Sequence, residues 1–287
     1  MLTISMADLS PAERQNYLQY AIAPRPICFA STIDKDGNVN LSPFSFFNLF
    51  SSNPPICVFS PARRVRDNTT KHTLQNVLEV PECVINIVNY DMVQQTSLAS
   101  TDYSKGINEF EKAGFTQLKS ELVKPPRVKE SPVQMECKIV EVISLGENGG
   151  AGNLILAEIL LIHINENVLD ENNKIDQLKM DHVARLGGDW YCRVTNDSLF
   201  KVAKPLATLG IGVDSLPMEI KNSKFLSGNN LGKLANVEQM PLFQKTENLE
   251  YSSLSNQELH LLAHKMLEDD KLEEAWQVLL FSVNKLT

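Results

Sequence analysis

No apolar run in the chain reaches the roughly 18 residues that a membrane span needs, and positive charge is in short supply. The net charge is -8. The first absence predicts a chain with no membrane segment. The second excludes a broad surface for nucleic acid or acidic lipid, because phosphate-rich partners attract basic faces. Cysteine is sparse: Cys28, Cys57, Cys83, Cys137 and Cys192 are scattered singly among 287 residues, mostly inside apolar runs such as "PICVFS" and "ECVINIV". That pattern predicts reduced, buried thiols rather than a disulfide frame or a metal site. The start, "MLTISMADLSPAER", lacks the basic-then-apolar order of a secretory signal, so a cytoplasmic chain is expected.

The common catalytic signatures are missing as well. "GGAGNLI" and "GIGVDS" each lack the third glycine of a dinucleotide fingerprint, and no G-x-S-x-G elbow is present. His260 and His264 stand four apart, but Leu261 occupies the place where a zinc protease needs glutamate. These histidines read as a solvated helix face. With nucleophile, metal site and Walker lysine absent, a bound cofactor is expected to carry the chemistry.

What is present reads mainly as strands from about residue 25 to 200. "PICFASTI", the turn "DKDGN" and "VNLSPFSFF" form a hairpin pattern. "PPICVFS" and "ECVINIVN" are short β-branched runs, with the helically spaced "KHTLQNVLE" between them and a second short helix at "DMVQQTSLAS". "PVQMECKIVEVISLG" and "NLILAEILLIHINENVL" are long runs separated by the turn "ENGGAG". Many strands joined by hairpins favour a closed or half-closed β-barrel. Residues 206–287 differ: an extended arm is expected first, then a helical hairpin capped by Ser255. Its apolar stripe of Leu262, Met266, Leu272, Trp276 and Leu279 needs a cover.

Two segments point to a ligand. "NLSPFSFFNLFSSNPP" holds Phe44, Phe46, Phe47 and Phe50 among hydroxyl and amide side chains. "SPARRVRDNTTKHTLQN" gathers Arg63, Arg64, Arg66 and Lys71 with Asn68, Thr69, Thr70 and Thr73, between a strand and a helix. Guanidinium forks, hydroxyls and free N–H groups at a helix start suit a phosphate. The same loop also reads as an ordinary solvated connection, and the phenylalanines in part as core.

"APRPICFASTIDKDGNVNLSPFSFFNLFSSNPPICVFSP" resembles the flavin reductase-like, FMN-binding split-barrel family. The likeness continues through "NTTKHTLQNVLEVPECVINIV", "GINEFEKAGFT", "VKPPRVKESPVQMECKIVEVI" and "RLGGDWY". It implies a mainly β fold: a six-stranded Greek-key split β-barrel with a few short helices over residues 1–205, followed by the 206–287 extension. It further implies a homodimer that binds FMN (FAD being the bulkier alternative) and takes hydride from NAD(P)H. By motif position, Ser45, Phe46 and Asn48 would lie along the flavin ring and ribityl chain. Ser60, Arg64, Asn68, Thr69, Lys71 and Thr73 would lie around the phosphate. Short members of the family carry a histidine–glycine pair on the nicotinamide side. Here His182 sits several residues before the glycines of "ARLGGDWY". That departure keeps open a second reading, a flavin-bound electron-transfer protein without its own nicotinamide site. A third is a scaffold whose C-terminal helices recruit a partner.

Overall fold

Pro11 opens the first helix because its missing N–H is one that no helical carbonyl would receive, and Ser10 and Glu13 satisfy the neighbouring donors in a capping box. This helix, α1 (Pro11–Ala21), precedes a dense set of strands in the computed structural model, which describes residues 1–206, 208–244 and 249–285. The chain divides into two compact units, Met1–Leu199 and Phe200–Thr287.

In the first unit β1 (Arg25–Pro26), β2 (Cys28–Ile33), β3 (Val39–Phe44), β4 (Phe47–Ser52) and β5 (Pro55–Phe59) follow in turn. Then come α2 (His72–Glu79), β6 (Glu82–Ile87), α3 (Val93–Leu98), α4 (Glu109–Ala113), β7 (Gln117–Leu118) and β8 (Arg127–Val128). The long hairpin β9 (Val133–Ser144) and β10 (Asn153–Ile164) follows, with the short β11 (Val183–Arg185) and β12 (Tyr191–Arg193) last. Seven strands form one antiparallel sheet in the order β3-β2-β6-β9-β10-β5-β4. The sheet curls back on itself. Phe44, from the edge strand β3, rests 5.4 Å from the ring of Phe59 near the opposite edge, and residues of seven strands share one core. Register slips at Leu156/Ala157 and Ile159/Leu161 bend the β9–β10 hairpin around that core.

Side-chain alternation along β2 separates two interiors. Cys28 and Ala30 point into the barrel, whereas Phe29 points outward onto Phe115, Phe110 and Met92. α2 buries Leu74 and Val77 against the barrel core. Four thiols, Cys28, Cys57, Cys83 and Cys137, are buried, with Cys83 and Cys137 directly opposite on β6 and β9. Cys192 on β12 is only half-buried, unlike the expectation from its neighbours. Glu136 on β9 is fully buried. Its carboxylate accepts the N–H groups of Glu121, Leu122 and Val123 at 2.8, 2.6 and 3.2 Å and meets His163 Nε2 at 2.8 Å, pinning the loop before β8.

The second unit is helical: α5 (Met218–Lys221), α6 (Gly228–Ala235), α7 (Leu249–Ser252), α8 (Asn256–Glu268) and α9 (Leu272–Asn284). α8 and α9 are the expected hairpin, with Ser255 and Glu258 in a capping box. The preceding segment is not the fully extended arm expected. It contains α5 and α6, too short to show periodicity, and its Leu216, Ile220, Leu226 and Leu234 cover the buried Trp276 and Leu279. His260 and His264 are likewise not a solvated face. Their Nδ1 atoms lie 2.7 Å from Ser223 Oγ and 2.8 Å from Asn230 Oδ1, tying α8 to the helices before it. Among the described residues no group of histidines, cysteines or carboxylates could hold a metal, and no helix is long and apolar enough to cross a membrane.

Candidate functional site

The loop from Ser60 to Lys71 is held by its own side chains. Asn68 adopts the left-handed conformation (φ 58°). Its Oδ1 accepts from Arg63 Nε at 2.7 Å, and its Nδ2 donates to Glu147 O at 2.9 Å. Thr69 donates its hydroxyl to Asp67 at 2.6 Å, which with the Thr69 backbone N–H pulls that carboxyl down to about 2. Arg64 is fully engaged on both sides: Nη1 donates to Thr69 Oγ1 and Thr70 O at 3.0 and 2.6 Å, and the remaining edge clasps Asp102, which also binds Arg66.

The tip of the β9–β10 hairpin leans on this loop. Gly150 donates to Arg63 O at 2.9 Å, and a Cβ on Gly149 would lie 3.1 Å from Arg64 O and Val65 Cα. Only a residue without a side chain permits that approach unstrained. Between the loop, the hairpin tip and α1 opens a cleft of about 880 Å³. Arg14, Arg25, Arg63, Arg64 and Lys71 line it, against Glu147 as the one acidic lining residue. Such a concentration of cations in a chain of net charge -8 makes the cleft strongly positive.

Lys71 is the distinctive group there. It is partly buried, and among the described residues its ammonium makes neither an ion pair nor a hydrogen bond. Desolvation, and then the charge of Arg64, hold it below the ordinary lysine range, with Asp102 pulling the other way. It stands just before α2, whose first turn no side chain caps. An ammonium without a bonded partner beside a helix start that no side chain caps is a place for an anion.

Of the residues singled out in the sequence, Phe46, Arg64 and Lys71 line this cleft, with Phe46 exposed. Asn68 and Thr69 shape the loop from behind. Ser60 is buried: its N–H donates to Phe46 O at 2.9 Å and its Oγ accepts from Asn153 N at 3.1 Å, joining the two segments. Thr73 is turned inward, its hydroxyl 3.1 Å from Asn40 Oδ1. Asn48 is exposed on β4 and its Oδ1 accepts from Leu49 N at 2.8 Å. Ser45 lies not in the cleft but in a small cavity of about 120 Å³ with Thr96, Ser97 and Arg185. Arg14 and Arg25 were not singled out, and Gly149–Gly150 was read only as part of a turn. Helix α1, with its capping box at Ser10 and Glu13, was not among the elements expected from the sequence, and nothing there placed it beside the loop.

Comparison with known proteins bears on the fold. The family model for the flavin reductase like domain matches residues 20–179. A protein of Aquifex aeolicus is 38% identical over 181 residues, 63% of this chain and 90% of that one. Among solved structures, nitrilotriacetate monooxygenase component B of Bacillus cereus aligns with a TM-score of 0.66 at 27% identity, over 70% of this chain and 98% of that one. A flavin reductase candidate with a split-barrel domain from Shewanella frigidimarina aligns with a TM-score of 0.60 at 27% identity, over 71% and 100% of the two chains.

Proposed function

Because the chain belongs to the flavin reductase-like family, we propose that it is an FMN-dependent oxidoreductase, with the FMN phosphate in the cleft at Lys71 and NAD(P)H as the electron donor. Lys71 carries the reading: a partly buried ammonium in a cationic cleft, without a hydrogen-bond or ion-pair partner among the described residues, suits a ligand that brings negative charge. The residues fit such a ligand. Arg63 supplies a further positive charge, the α2 N-terminus supplies donors, and the exposed Phe46 ring offers an apolar face. FMN is preferred to FAD because a single phosphate site explains the loop.

A bound flavin would supply two-electron redox chemistry, while this chain's residues bind and orient it. Lys71 and the loop neutralise the phosphate, Arg64 and Asp102 keep the loop in one shape, and Phe46 shields one face from water. No side chain is assigned as an indispensable acid, base or nucleophile, in keeping with a reaction governed by positioning. We further propose a cytoplasmic homodimer. The exposed Tyr17, Leu18, Ile22, Leu49 and Phe50 support it, being apolar groups that a second copy would cover.

Fluorescence-quenching titration tests the assignment: FMN should bind at least tenfold tighter than riboflavin. Equal affinities would defeat the phosphate site. The alternative, a flavin-bound electron-transfer protein without its own nicotinamide site, draws support from His182. That residue pairs with Asn89 in an isolated bridge and lines neither the cleft nor the small cavity described above. Bleaching of the bound flavin by NADH or NADPH under argon supports the first reading; bleaching by dithionite alone supports the second.

A further inference from the structure

Arg25 and Arg185 stand directly opposite each other across β1 and β11. Like charges at such a position ordinarily destabilise a strand pair. Neither guanidinium meets a carboxylate among the described residues. Arg25 donates to the carbonyls of Gln19, Ile22 and Leu186 at 2.6, 2.6 and 2.8 Å, and Arg185 to Tyr191 Oη and Gly188 O, both at 2.6 Å. Neutral acceptors satisfy geometry without cancelling charge, so this part of the fold carries two uncompensated positive charges.

Arg185 lines the small cavity that also holds Ser45. Thr96, 3% exposed, lines the same cavity, and its Oγ1 is buried without a partner. A buried hydroxyl left unsatisfied is costly, and a ligand that accepts from it recovers that loss. The cavity continues outward into a groove of about 360 Å³ through the shared residues Val93, Ser97, Arg185 and Tyr191. Tyr90 and Tyr191 give the groove aromatic walls. Arg193, which stacks 3.7 Å over Tyr90, is already neutralised by Asp181 at 2.7 and 2.8 Å. Arg185, which lines both, is therefore the unspent charge, and the groove beyond it is mixed: Tyr90, Tyr191 and Val93 beside Gln94 and Asp189.

We infer that this cavity and groove bind a small organic carboxylate. Its head group meets Arg185 and the Thr96 hydroxyl, and its body lies along Tyr191 and Val93. A planar guanidinium fork matches a planar carboxylate, and a cavity of about 120 Å³ takes one such group rather than a polyphosphate. A cationic ring would be repelled by Arg185.

Isothermal titration calorimetry of the full chain with sodium benzoate, and with benzamide as its neutral isostere, tests this. Benzoate should bind at least about tenfold tighter than benzamide. Arg185→Gln should weaken benzoate by about tenfold or more, as expected for loss of a charge-assisted hydrogen bond, and leave benzamide unchanged. Thr96→Val keeps shape while removing the hydroxyl and should weaken benzoate several-fold, so the question stays decidable if Arg185→Gln fails to fold. Equal binding of benzoate and benzamide would overturn the inference, as would wild-type benzoate affinity in Thr96→Val and in any folded Arg185→Gln. Riboflavin and FMN titrations run in parallel separate the two proposals: loss of benzoate binding with FMN selectivity intact removes only this one, and the converse removes only the flavin site.

Discussion

Replacing Lys71 by methionine keeps the stem's packing and deletes the ammonium. If that ammonium meets the ligand's phosphate, the loss is one charge-assisted hydrogen bond, about 1.5–3 kcal/mol, or roughly 10- to 150-fold in FMN affinity. Riboflavin affinity should not change, because riboflavin carries nothing for the ammonium to meet. Fold stability should hold or rise, since Lys71 is partly buried beside Arg64 without a partner of its own among the described residues. The pH dependence follows from its lowered pKa. The charged form costs the native state stability below the folded value, and that cost disappears as pH rises from the folded value to the ordinary lysine range. FMN affinity should fall as pH rises through the folded value, and Lys71→Met should abolish that alkaline limb. Fluorescence quenching with both flavins, read against a thermal melt, decides the matter. A variant that loses FMN and riboflavin in equal proportion would show that Lys71 shapes the cleft rather than the phosphate site. Arg64→Ala is the instructive contrast. Its guanidinium is spent on Asp102, Thr69 and Thr70, so its removal should loosen the loop and lower the melting temperature as well as FMN affinity.

Glu136→Gln should cost about 3 kcal/mol in urea unfolding, because it replaces a buried anion that three backbone N–H groups and His163 surround. Burial opposes that charge, but the N–H groups outweigh it and hold the carboxyl below the ordinary range. Its stabilisation is therefore complete above that range and lost as pH falls through the folded value, a slope the variant should lack; an unchanged acid limb would refute this. Gly149→Ala should weaken FMN several-fold by pushing the hairpin tip off the Arg64–Val65 backbone; unaltered binding would show that the tip does not set the loop. In the native protein an aromatic disulfide reagent should titrate Cys192 alone, with the other four thiols appearing only in denaturant; burial pushes the Cys28 thiol well up. Rapid reaction of two or more would mean the barrel interior opens readily.

The barrel was legible because its strands announce themselves. "CFASTI" and "VNLSPF" are β-branched and aromatic runs around a D-x-D-G turn, and they pair with Cys28 opposite Phe44 and Ile33 opposite Val39. The cationic loop was legible by composition, but composition does not say which cation is free. Arg64 and Lys71 look alike as charges, and Asp102, which separates their roles, lies far along the chain in a stretch without pattern. The second unit was half legible. Thirteen-residue helices such as α8 and α9 show their periodicity, whereas α5 has four residues and presents barely one turn. The apolar stripe's need for a cover was visible in the sequence; that Leu216, Ile220 and Leu234 supply it became visible only in space.

Phe44, Ser45, Phe46 and Phe47 are consecutive, yet they face three different compartments. Phe44 lies in the barrel core, Ser45 in the small cavity, and Phe46 in the cleft, while Phe47 packs partly buried against the core. Phe44 also lines that small cavity, so a substitution there would reach both the core and the cavity, whereas Phe46 faces the cleft. Insertion or deletion of a single residue would shift the alternation by one and exchange interior for ligand-facing groups all along the segment. Libraries built for altered ligand preference should therefore vary side chains while holding the residue count between β3 and β4 constant.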